Sequence, residues 1–200
     1  SPFWSSSDEL YLMNKGQVYK YSFDTGEAVQ VTDFYAGVSD PVLSNDERYL
    51  VFTAELFPEC GTDNDCNKRL DESTQNGPMQ AYIADELLFR HWTDYKGEKE
   101  SYLVLFDIKE NKYQAITSSD VLSGTYMLGG GPKYAFSPDS RVLAYVSSPE
   151  KNIANSTNTD IYLMPLGGTQ TVNITLANDA WDGAPVYSPD GNYIAYKTHS

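Results

Sequence analysis

The residues with the most chemical potential are few and lie close together. Cys60 and Cys66 enclose Gly61-Thr62-Asp63-Asn64-Asp65, a loop short enough for a disulfide to staple, which implies an oxidising compartment; the alternative is two reduced thiols. Asp63, Asp65 and Asn67 stand at alternate positions, as in a calcium loop. The pattern then fails, with Lys68 where the sharp-turn glycine belongs and Thr74 where the bidentate glutamate belongs, so a solvated acidic loop is the better reading. Further on, Arg90-His91-Trp92 joins a multi-donor cation, an imidazole and an apolar wall, the residue types that recognition sites favour. Glu55 precedes this group and could pair with a substrate ammonium or with Arg90 itself. The bland alternative is that Trp92 anchors the segment and Arg90 pairs with a local acid.

Other chemistry is missing. The chain has only two histidines, His91 and His199, whereas structural zinc wants four ligands, which argues against a zinc site, and no cofactor is implied. Gly129-Gly130-Gly131-Pro132 lacks the Gly-Lys-Ser/Thr that completes a phosphate loop, and reads as a link between units. No Gly-x-Ser-x-Gly turn raises a nucleophilic serine. Asn155-Ser156-Thr157 and Asn173-Ile174-Thr175 match the glycosylation pattern, which matters only in a eukaryotic secretory host. With 28 acidic and 14 basic residues the chain carries a net charge of −14, which repels nucleic acid. No apolar run approaches the ~18 residues of a membrane span.

A repeat must position these residues. Pro185-Val186-Tyr187-Ser188-Pro189-Asp190-Gly191 runs into Tyr193-Ile194-Ala195-Tyr196, which reads as strand, tight turn and a strand buried on both faces. The same shape returns around Ser137-Pro138-Asp139-Ser140 and Ser44-Asn45-Asp46-Glu47, and in decayed form at Ser5-Ser6-Ser7-Asp8. The key serines are spaced 39, 93 and 51 apart. Repeats of ~40–50 residues built from short strands predict an all-β fold, a partial β-propeller of about four TolB- or WD40-like blades, the last incomplete. The blades fall at about 1–33, 38–118, 130–177 and 181–200, all within one domain. Residues 55–101 form an insertion in the second blade and account for the 93-residue gap. A short helix is expected near Pro78–Leu88, where Met79, Tyr82, Ile83 and Leu87 keep helical spacing. The fourth unit stops after two strands, so the chain reads as a piece of a larger propeller. Its open edges are candidates for self-association.

Several stretches together resemble a known family. Ala180-Trp181-Asp182-Gly183-Ala184-Pro185 looks like the propeller of the prolyl-oligopeptidase family of serine peptidases. Phe52–Cys60, Cys66, and Leu88-Phe89-Arg90-His91-Trp92-Thr93 followed by Gly97 are similar to bacterial dipeptidyl-peptidase and acylaminoacyl-peptidase-like members, in particular the dipeptidyl-peptidase 5 type. The chain departs from the family where Ser44-Asn45-Asp46-Glu47 lacks Pro and Gly, and where Lys99-Glu100-Ser101-Tyr102 replaces a more basic stretch. The resemblance implies a periplasmic or secreted parent peptidase with a C-terminal α/β-hydrolase domain. The propeller would cap the active site and admit short peptides, and Glu55, Arg90, His91 and Trp92 would help hold them. The alternative is a TolB-like propeller that binds a protein partner and catalyses nothing.

The chain by itself is expected to leave dipeptidyl chromogenic substrates uncut. Turnover abolished by a serine-directed fluorophosphonate would contradict this.

Overall fold

The computed structural model describes residues 2–78, 81, 90–91, 94–95, 97–117, 133–150, 156–168 and 170–199. The chain opens with β1 (Phe3–Trp4), β2 (Leu10–Asn14), β3 (Gln17–Tyr21) and β4 (Ala28–Gln30), an antiparallel sheet in sequence order. Next come β5 (Ser39–Leu43) and β6 (Tyr49–Leu56), then helix α1 (Asn64–Gln75) and a two-stranded ribbon of β7 (Arg90–His91) and β8 (Asp94–Tyr95). The second sheet resumes with β9 (Glu100–Asp107) and β10 (Lys112–Ala115) and has the order β10-β9-β6-β5. A third four-stranded sheet contains β11 (Tyr134–Phe136), β12 (Val142–Ser147), β13 (Asp160–Pro165) and β14 (Val172–Asn173). The last two strands, β15 (Asp182–Tyr187) and β16 (Ile194–Thr198), pair with each other. The expected all-β architecture of successive antiparallel sheets is present.

Burial explains the apolar runs. Successive side chains on a strand point to opposite faces. In β6, Leu50 and Phe52 pack towards the first sheet with Tyr11, Val18 and Phe34, while Val51 packs towards the third with Leu143 and Tyr145. Its neighbour β9 splits the same way: Tyr102, Val104 and Phe106 on one side, Leu103 and Leu105 on the other. In β12, Leu143 and Tyr145 face the second sheet, and Ala144 and Val146 face the fourth. Each middle sheet is thus sandwiched between two others. The expectation that Tyr193–Tyr196 would be buried on both faces is not met. Tyr193 is 74% exposed and Tyr196 46%, because among the described residues β16 packs only inward, through Ile194.

The recurrent turn is a closed hydrogen-bond unit. In the second sheet the Ser44 hydroxyl donates to Asp46 Oδ1 at 2.6 Å and accepts from the Tyr49 amide at 2.9 Å. Ser137 repeats this with Asp139 and Val142, and Ser188 with Asp190 and Tyr193. The fourth turn position has positive φ in all four copies, at Asp8, Glu47, Ser140 and Gly191, and only the last is the glycine that the geometry favours. The carboxyl of Asp190 is drawn down from 3.8 to about 2 by the Ser188 hydroxyl and by Asn192. A carboxyl with a lowered pKa stabilises the fold above its ordinary value. That contribution is lost as pH falls through the lowered one, here between about pH 4 and pH 2. The turns also touch one another: Ser6 donates to the Asn45 carbonyl, Asn45 Nδ2 to the Pro138 carbonyl, and the Asp46 amide to Ser140 Oγ.

A second repeated bond closes each complete sheet. Thr32 Oγ1 accepts the Val18 amide at 2.9 Å, Thr117 the Leu103 amide at 3.0 Å, and Thr175 the Ile161 amide at 3.0 Å, always 14 residues apart. The threonine hydroxyl stands in for a ladder carbonyl where the fourth strand ends. Thr32→Val should therefore strand a buried amide and cost about 1–3 kcal/mol, whereas Thr32→Ser should keep most of the bond. Urea unfolding would contradict this if the valine variant were as stable as the parent.

Candidate functional site

Antiparallel order divides the connections between two ends of the stack. The Ser turns and the third connections, such as Asp107–Asn111, lie at one end. The second connections and the linkers between sheets lie at the other, as the bond from the Val38 amide to the Gly16 carbonyl at 2.8 Å attests. The long excursion between β6 and β9 belongs to this second end. The ladder continues to Glu55↔Ser101 and Leu56↔Glu100, so the excursion spans 57–99.

Its first part is tightly built. Cys60 and Cys66 form a disulfide with Cα atoms 5.5 Å apart. Asp63 caps α1 by accepting the Cys66 amide at 2.9 Å, and Asp65 adds negative charge to the first turn, where the helix dipole favours it. The stretch read from sequence as a solvated acidic loop is thus the start of a helix. The helix expected at 78–88 lies almost wholly outside the described residues.

Sequence patterning missed α1 because its docking stripe is polar. Asn64, Asn67 and Asp71 follow at helical spacing, and each has a partner on the propeller or at the root of the insertion. Asn64 accepts the Tyr35 amide at 2.9 Å and donates to the Asp33 carbonyl at 3.0 Å, tying the helix to the linker between the first two sheets. Asn67, only 2% exposed, accepts the Phe57 amide at 3.0 Å and donates to the carbonyls of Gly61 and Asp63. Asp71 takes the Lys99 ammonium at 2.7 Å. Partial burial, together with the Asp71 charge, pushes the Tyr35 phenol above its ordinary value.

The candidate recognition residues lie at the root of this excursion and within it. Glu55 is half-buried near the end of β6, at the root. Arg90 and His91 form β7, in register with Tyr95 and Asp94. Trp92 lies outside the described residues. The other histidine, His199, sits edge-on to Trp181 in the fourth sheet, ring centroids 5.3 Å apart. Among the described residues no three His, Cys, Asp or Glu side chains gather as metal ligands. Ser44, Ser137 and Ser188 donate to aspartates and accept backbone amides, and Ser5 pairs with Ser7 and accepts the Glu9 amide, so these hydroxyls are committed to the fold. Asn173 of the second glycosylation pattern donates to buried Asp160 at 2.7 Å.

The fold is that of a TolB-like β-propeller. The crystal structure of TolB from Acinetobacter baumannii superposes with a TM-score of 0.52 at 15% identity, covering 98% of this chain and 36% of that one. No protein-family model matches the chain. Among curated proteins it is similar to dipeptidyl-peptidase 5 of Porphyromonas endodontalis, 26% identical over 84% of this chain and 24% of the relative. Dipeptidyl-peptidase 5 of Porphyromonas gingivalis matches at 27% identity over 80% of this chain and 23% of its own length. The chain is thus a propeller segment related to the dipeptidyl-peptidase 5 proteins, and it spans about a quarter of their length.

Asn67→Ala should unfasten α1, since it orphans the buried Phe57 amide and removes the side-chain bonds to the Gly61 and Asp63 carbonyls, a local loss of about 1–3 kcal/mol. Hydrogen exchange should speed up across residues 64–75 while the sheets keep their protection. Unchanged exchange in the helix would contradict this role.

Proposed function

We propose that this chain is the non-catalytic propeller part of a secreted or periplasmic serine exopeptidase of dipeptidyl or acylaminoacyl type, in which it filters and positions short peptides. The observation that carries the reading is the relationship to dipeptidyl-peptidase 5 over 84% of the chain, insertion included. The matched stretch is only 24% of that relative, so ample length remains in the relative for the C-terminal α/β-hydrolase domain that the reading requires. The disulfide suits an oxidising compartment, and no described helix is long and apolar enough to cross a membrane.

In this reading the end of the stack that bears the insertion faces the hydrolase domain. Arg90 holds a peptide carbonyl or carboxylate through several donors, His91 adds a further polar group, and Glu55 takes the peptide ammonium. Trp92 would supply an apolar wall. A second reading, a TolB-like interaction scaffold without activity, draws on the structural likeness to TolB over 98% of the chain. A Gly-x-Ser-x-Gly turn in the full-length polypeptide, and cleavage sensitive to fluorophosphonate, would separate peptidase from scaffold.

In that full-length polypeptide, Arg90→Ala and Glu55→Gln should each lower kcat/KM on dipeptidyl substrates by about tenfold, equivalent to ~1.4 kcal/mol of lost binding, at unchanged melting temperature. Equal activity, or a loss that tracks unfolding, would reduce these residues to scaffolding.

A further inference from the structure

We infer that Lys99 is the positioning residue that closes the base of the insertion and holds its far segments in place. The register partners Leu56 and Glu100 end the ladder between β6 and β9, so Phe57 and Lys99 stand side by side where the chain leaves and re-enters the sheet. Phe57 is buried, and the Lys99 ammonium lies 5.3 Å from its ring centre. The same ammonium is 2.7 Å from each oxygen of Asp71 in α1. One cation therefore joins three points of the excursion: its entry, its helix and its exit.

The two charged side chains are sheltered, with 29% of Lys99 and 17% of Asp71 exposed, so water screens their attraction less than it would a surface pair. Tyr35, on the linker between the first two sheets, feels the charge of the same carboxylate. Among the described residues, Asp71 thus faces the Lys99 ammonium and the Tyr35 phenol. Removing the cation leaves the sheltered Asp71 carboxylate without the charge that balances it. Closing the base also shortens the chain between fixed points on either side of β7 and β8, which lowers the loop-closure entropy of that stretch.

Hydrogen exchange on Lys99→Met and Lys99→Arg tests the closure. With methionine, amides 64–75 and those of Arg90, His91, Asp94 and Tyr95 should exchange at least about tenfold faster, with protection of the sheets unchanged. Arginine should restore protection, since it keeps the charge and stacks on aromatic rings. Unchanged exchange with methionine, or a loss spread over every sheet, would overturn the inference. The consequence for substrate rests on the peptidase reading above. In the full-length polypeptide, Lys99→Met should raise KM for Ala-Ala p-nitroanilide about fivefold with kcat held. Faster exchange with unchanged KM would sink the insertion's part in substrate binding and leave the closure standing.

Discussion

Everything in this chain depends on sheets that bury both faces. A strand such as β6 cannot be stable as a hairpin with one wet side, because Leu50, Val51 and Phe52 are consecutive and all fully buried. Only a neighbour on each face satisfies them, and that demand stacks the sheets in sequence order. The aromatic set Phe34, Phe52, Phe106 and Tyr113 fills the first inter-sheet gap, with Phe106 and Tyr113 stacked at 4.2 Å. Hydrogen bonds then fix the stagger: the serine turns hold one end of each sheet, and the threonine locks finish its fourth strand.

The insertion is ordered by a different physics. Among its described residues α1 is almost wholly polar. Its order comes from saturated hydrogen bonding at Asp63, Asn64 and Asn67, from the covalent Cys60–Cys66 link, and from one sheltered ion pair. A polar helix such as α1 can be fixed in position and still melt locally without unfolding the stack, because it adds little to the apolar core of the sheets.

The sequence showed the frame far better than the arm. Continuous apolar runs beside Ser-x-Asp turns are readable because burial on two faces leaves a run, and the turn leaves its own polar signature. The threonine lock was legible in principle, since Val31-Thr32, Ile116-Thr117 and Ile174-Thr175 recur at the ends of fourth strands. Helix α1 was not, because pattern reading looks for apolar residues at helical spacing and its docking stripe is Asn64, Asn67 and Asp71. The alternate Asp63, Asp65 and Asn67 suggested a loop. In the structure they divide into a cap, a first-turn charge and a buried amide. The exposed face of β16 was misread for the opposite reason: its composition is that of a covered strand, and composition carries no record of which neighbour does the covering. Of the candidate recognition residues, patterning could place Glu55 at the root and Arg90 and His91 farther out, but not their relation to the cation that closes the base.

The central claim is that a peptide is met at the end of the stack that carries the insertion. Photo-crosslinking tests it most directly, using an unblocked tripeptide with a benzophenone side chain on the full-length polypeptide, with mapping of the labelled residues and competition by the unlabelled peptide. The account predicts competable labelling at residues 55–57 and 90–99 or at the linker 33–38. Competable labelling at the serine turns around 44–47 or 137–140, with none on the insertion, would contradict it.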